Sequence, residues 1–182
     1  MSHQEIAAAL QRVQAVLQRR PETGVHDDAP ATAHWQRGTR VITSHANGTQ
    51  IATDMPTELG GSGDKVTPGW LFRAGLAACA ATSIELTAAA RGIDLTLLEV
   101  QATSSSDLRG LMGMSDGLGR PVAAGPFDMR LHVRIGANGV DGALLRALVE
   151  DGLRCSPIPN AVSHATPFSV RIEHQTAVAG AA

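Results

Sequence analysis

Tyrosine is absent, and phenylalanine and tryptophan together make up only 3% of the chain. A core built on large rings is therefore excluded, and burial must come from Ala, Leu, Val and Ile. No apolar run reaches the roughly 18 residues that a membrane-spanning helix requires. Basic charge is not in excess: 15 Lys and Arg face 17 Asp and Glu, for a formal net charge of −2. With no basic stripe along any segment, nucleic acid is not an expected partner. The opening residues lack the basic start, apolar centre and cleavage site of a signal peptide. The expected compartment is thus the cytoplasm, where structural disulfides are rare. Cysteine is sparse as well. Cys79 and Cys155, far apart in sequence, are either buried apolar fillers or a redox pair. No Cys-x-x-Cys or His-x-x-x-His pair occurs, so no metal centre is expected.

What is present is organised around one stretch, residues 67–92. Thr67 is a good N-cap, Pro68 suits the first helical position, and Gly92 suits the residue just past the end. Between them Ala and Leu dominate, and only Arg73, Glu85 and Arg91 carry charge. The spacing predicts one long helix with Cys79 at its middle, most of whose surface must be covered by protein. Small residues from Ala74 to Ala81 would let another element approach closely. A helix so poor in charge, in a chain of 182 residues, points to burial against a second subunit.

Around it the chain reads in order. Ser2 to Arg20 is an amphipathic helix, with a Ser2/Glu5 capping box and Ile6, Leu10, Val13 and Leu17 on one face. Residues 21–30 form a linker. A strand near Thr32 to Trp35 bends at Arg37-Gly38. Val41 to Ala46 and Thr49 to Thr53 then flank Asn47-Gly48, the signature of a two-residue hairpin turn. Residues 56–64 are a glycine-rich loop without the Lys-Ser or Lys-Thr of a phosphate-binding loop. Leu95 to Thr103 is a strand, and Ser104 to Gly125 is loop, with Leu111, Met112 and Met114 as an apolar tip. Phe127, Met129, Leu131, Val133 and Ile135 alternate with polar residues as a strand with one buried face. A helix from about Asp141 to Leu153 breaks at Ser156-Pro-Ile-Pro159, and Asn160 to His164 adds a short helical piece. Phe168, Val170 and Ile172 alternate as a last strand. Strands in blocks, rather than one-for-one with helices, predict an α+β fold with mostly antiparallel sheet. The division is residues 1–30 as helix and linker, 31–174 as the domain, and 175–182 as a frayed tail.

Two residues are candidates for chemistry. The helical neighbours of Cys79 are Gly75, Leu76, Thr82 and Ser83, all uncharged. Such surroundings disfavour a thiolate. Cys79 is then a small core residue, or a reactive thiol served by a cation from elsewhere in the fold. Cys155 sits where a helix ends in a proline turn, either as a buried cap residue or as a partly exposed, positioned thiol.

Three segments carry a resemblance: Pro56-x-Glu58-Leu-Gly-Gly-x-Gly63; Thr67-Pro68-x-x-Leu71-Phe72-x-Ala74-Gly75-x-x-Ala78-Cys79; and Cys155-Ser-Pro-Ile-Pro-Asn160-Ala161. Together they resemble the OsmC/Ohr family of thiol-dependent peroxidases, antioxidant stress-response proteins acting on organic hydroperoxides. The resemblance spans roughly residues 31 to 173. It implies an intertwined homodimer with the long cysteine helices at its centre and mostly antiparallel sheets outside.

Residue by residue, the resemblance makes Cys79 the peroxidatic cysteine and Cys155 the resolving one, closing a Cys79–Cys155 disulfide. It implies no metal or other cofactor, and a lipoyl-type dithiol as reductant. An arginine from the N-terminal strands should hold the thiolate. Arg37 is the better candidate and Arg40 the other. The family glutamate that holds this arginine falls at Gly69, where this chain departs from the pattern. Glu58 in the preceding loop is the nearest replacement. Leu71, Phe72 and Leu76 would line the pocket for an alkyl hydroperoxide, with Met112 or Met114 beside them, a lining equally well explained as core. The alternative is a dimeric protein of the same fold that binds a small molecule or partner, with incidental thiols.

Overall fold

The computed structural model describes residues 3–164 and 166–174. Among the described residues, five strands form two small antiparallel sheets, and the helices gather around one long helix. In chain order the elements are α1 (His3–Arg19), β1 (Thr32–Arg37), β2 (Arg40–Ser44), β3 (Gln50–Thr53), α2 (Pro68–Ala90), β4 (Leu95–Ser105), α3 (Leu108–Leu111), β5 (Phe127–Ala137), α4 (Gly142–Arg154) and α5 (Pro157–Ser163).

α2 forms where its punctuation predicts. Thr67 Oγ1 accepts the Trp70 amide at 3.2 Å. At the far end the Ile93 amide returns to Ala88 O and the Gly92 amide to Ala89 O, with Gly92 at φ +67°. That paired closure needs a left-handed residue, which glycine supplies without strain. α1, β4, α4 and α5 all pack on α2. The buried core runs along it: Leu76, Ala80, Ile84, Ala88 and Ala89, met by Leu148 from α4. The crossing is close enough to require glycine at 152, because a Cβ there would lie 2.8 Å from Ile84 Cα. Asp151 then ties the end of α4 to Arg91 just past α2.

The first sheet is a meander, β1-β2-β3, and the second is the long β4-β5 pair. In β5 the residues alternate between half-buried and exposed, as the sequence pattern requires. α4 opens on Asp141, whose Oδ1 accepts the Leu144 amide at 2.9 Å.

Two expectations are corrected. The Asn47-Gly48 connection is not a two-residue turn. Ser44 pairs with Gln50, leaving residues 45–49 as a loop closed by His45 N to Thr49 O and braced by Asn47 Oδ1 on the Thr49 amide. The two-residue turn of this meander is Gly38-Thr39, with Arg37 paired to Arg40. The last strand is the second correction, for Phe168, Val170 and Ile172 lie outside any strand and are 90%, 70% and 82% exposed. Alternation specifies which face a segment would bury, but not which edge pairs with it. The capping serine at position 2 lies outside the described residues, and α1 buries no residue completely.

Candidate active site

Cys79 lies midway along α2, half-buried. The α4–α5 corner comes down onto it. α4 ends at Arg154, Cys155 follows as its C-cap, and Ser156 is the N-cap of α5. Ser156 is completely buried. Its Oγ makes no bond to the helix that it caps. It lies instead 3.2 Å from Cys79 Sγ. The Ile158 amide donates to the same sulfur at 3.4 Å.

The corner is held by Asn160. Its Nδ2 donates to the carbonyls of Ser156 at 2.8 Å, Arg154 at 3.0 Å and Leu153 at 3.3 Å. The Leu153 carbonyl also accepts the Ser156 amide and the Ser156 carbonyl the Asn160 amide, so the side chain adds a second bond to each. The Ser-Pro-Ile-Pro-Asn run is therefore a device for stopping α4, turning the chain and aiming a hydroxyl and an amide at one sulfur.

Cys155 is exposed, and both thiols are free. Since Cys155 is bonded directly to Ser156, the two cysteines share one locus although 76 positions separate them in sequence. Their sulfurs form no contact.

The two candidate arginines part company. Arg40 belongs to a tight cluster: its Nη2 donates to Asp54 Oδ2 at 3.0 Å, to Ser62 Oγ at 2.7 Å and to Asp64. Asp54 is the hub. It is 3% exposed, and it also accepts from Thr39 Oγ1, Ser62 Oγ and the amides of Met55 and Ser62. Hydrogen bonds from Ser62, Thr39 and Arg40 hold its carboxyl far below the usual carboxylate range, and its own bond to Asp54 raises Arg40. Arg37 is exposed and lines an adjoining polar cleft of about 330 Å³ with Gly38, Asp54 and Ser62. Among the described residues neither arginine touches Cys79. Glu58 is exposed and accepts from Thr57 Oγ1 at 3.3 Å, reaching neither arginine within one chain.

The apolar candidates are also dispersed. Phe72 lines a cavity of about 630 Å³ beside the start of α2, while Leu76 lines one of about 300 Å³ between β5 and α5. Met112 and Met114 are exposed, as an apolar tip should be.

Sequence reasoning missed Ser156 and Asp54. Ser156 stands between Cys155 and Pro157-Ile-Pro159, and nothing in that position signals its contact with Cys79. Asp54 carries no sequence signal beyond closing a strand before a glycine-rich loop.

The family model described as "OsmC-like protein" matches residues 61–171. None of the curated proteins matches the chain. Among solved structures, an organic hydroperoxide resistance protein OsmC from Legionella pneumophila is similar at 24% identity and a TM-score of 0.55, over 76% of this chain and 90% of that one. An OsmC-like protein from Mycoplasma pneumoniae is similar at 19% identity and a TM-score of 0.63, over 78% and 91%. An organic hydroperoxide resistance protein from Elizabethkingia anophelis is similar at 23% identity and a TM-score of 0.53, over 78% and 91%. These likenesses establish the fold.

Proposed function

The chain belongs to the OsmC-like protein family, and from that premise we propose that it is a thiol-dependent peroxidase reducing organic hydroperoxides to alcohols. The observation that carries the reading is the placement of Ser156 Oγ and the Ile158 amide on Cys79 Sγ, from the segment that also bears Cys155. A thiolate at position 79 has both donors within reach. The thiolate attacks the distal peroxide oxygen. The O–O bond breaks, and the leaving alkoxide takes a proton and departs as the alcohol. Cys79 is left as a sulfenic acid. The Cys155 sulfur attacks it, water leaves, and a Cys79–Cys155 disulfide remains. A dithiol of the lipoyl type reduces that disulfide by exchange and is itself oxidised.

A second copy completes this site. Ala78, Thr82 and Leu86 form an exposed stripe along α2 at four-residue spacing. This observation supports a homodimer. Since neither Arg37 nor Arg40 contacts Cys79 among the described residues, the activating cation comes from the partner's N-terminal sheet, and Arg37, free of carboxylate partners among the described residues, remains its candidate.

The rival reading is a binding protein with incidental thiols. Free thiols are titrated before and after equimolar cumene hydroperoxide. Loss of both thiols supports the peroxidase, whereas unchanged thiols leave the binding protein.

A further inference from the structure

The cavity of about 630 Å³ at the start of α2 is twice the volume of the cavity between β5 and α5. It falls in the range that small-molecule sites occupy. Its walls are mostly apolar, with Met55, Pro56, Leu59, Phe72, Leu111 and Pro126 among them, and neither cysteine lines it. Two charged side chains reach it, Arg73 and Asp107.

Those two do not neutralise each other. Asp107 is committed to Arg109, which donates to it from Nε, Nη2 and the backbone amide. Arg109 is accordingly the neighbour that lowers the Asp107 carboxyl. Arg73 has no carboxylate partner among the described residues; its one polar contact there is Ser104 Oγ at a long 3.4 Å.

Gly69 explains why. A Cβ at 69 would stand 3.8 Å from Arg73 Nη1, with nothing closer. Position 69 precedes Arg73 by one helical turn, and an acidic residue there would sit in the orientation that best pairs an i,i+4 cation. Glycine leaves the guanidinium unpaired and the wall open. The N-terminal end of α2, itself positive, faces the same space.

We propose that this cavity binds an amphipathic carboxylate, an alkyl chain ending in one anionic group, with Arg73 as its anchor. The chain lies on the apolar wall, and the carboxylate replaces the partner that Gly69 withholds. The cavity shares Gly69 and Phe72 with the site that the peroxidase reading assigns, but the binding itself needs no thiol.

Calorimetric titration of the full chain with decanoate and with 1-decanol, each below its solubility or micelle limit, tests it. Decanoate should bind at least about tenfold more tightly than decanol, the factor expected of one charge-assisted hydrogen-bonded pair. Arg73→Met should remove that preference while leaving decanol binding in place. Gly69→Glu should do the same by pairing Arg73 internally, and Gly69→Ala should not, because a methyl has room. Equal binding of decanoate and decanol, decanoate binding that survives both Arg73→Met and Gly69→Glu, or no binding of either ligand because a second copy fills the cavity would each overturn the proposal.

Discussion

Cys79 Sγ and Ser156 Oγ lie 3.2 Å apart, across 77 residues of sequence, and the serine hydroxyl makes no capping bond that competes for it. The hydroxyl can therefore be removed without unwinding α5. Ser156→Ala should slow alkylation of Cys79 by iodoacetamide near neutral pH by roughly fivefold, the factor that ~1 kcal/mol for one hydrogen bond represents. The melting temperature should barely move. An unchanged alkylation rate would show that the contact does nothing for the thiol.

Cys79 and Cys155 should divide the chemistry. Cys79→Ser should abolish peroxide consumption. Cys155→Ser should react once and stop at a sulfenic acid that dimedone traps. Full activity in Cys79→Ser would reverse the assignment, and rapid turnover in Cys155→Ser would remove the resolving role.

How much of this was legible depends on where the signal lies. α2 was legible because Thr67, Pro68 and Gly92 each act within their own turn. β5 was legible because its alternation is local. The final strand was not, because Phe168, Val170 and Ile172 need an edge that no local pattern names. The two cysteine segments were legible as motifs of one family, but the Ser156 contact was not, since it appears only when α4 turns onto α2. The arginines were harder still. Arg37 and Arg40 are alike in sequence, and only the Asp54 cluster separates one committed to the fold from one left exposed.

That separation makes a prediction. Arg40→Ala should lower the melting temperature by several degrees, because Asp54 and Asp64 lose their shared cation. Arg37→Ala should leave the melting temperature alone and slow Cys79 alkylation by about tenfold if its charge serves the thiolate with the weight of about one pH unit. Should Arg40→Ala slow alkylation in a folded protein while Arg37→Ala does not, the activating arginine is Arg40.

The second copy is tested by mass. Light scattering should give about twice the 18.9 kDa of one chain. Leu86→Glu, placing an unpaired charge on the exposed α2 stripe, should shift the population toward monomer. A clean wild-type monomer at micromolar concentration would remove the shared site.

The Asp54 cluster carries its own pH dependence. The Asp54 carboxyl is held below its ordinary value by hydrogen bonds from Ser62, then Thr39 and Arg40. A carboxyl depressed in the folded state stabilises that state fully above its unfolded value, about 3.9. The contribution is lost as pH falls below that value toward the folded one. Asp54→Asn cannot carry the charge, so it lacks this contribution at every pH. The melting temperature of Asp54→Asn should therefore lie several degrees below wild type at neutral pH. The gap should hold down to about pH 5 and narrow below about pH 4. Asp151, lowered chiefly by Arg91, titrates in both proteins and cancels from the difference. Asp64, lowered chiefly by its bond from Ser62, is kept in both as well. Scanning calorimetry across this range reads the gap directly, and a gap as wide at pH 3 as at pH 7 would show that Asp54 acts by shape and not by charge.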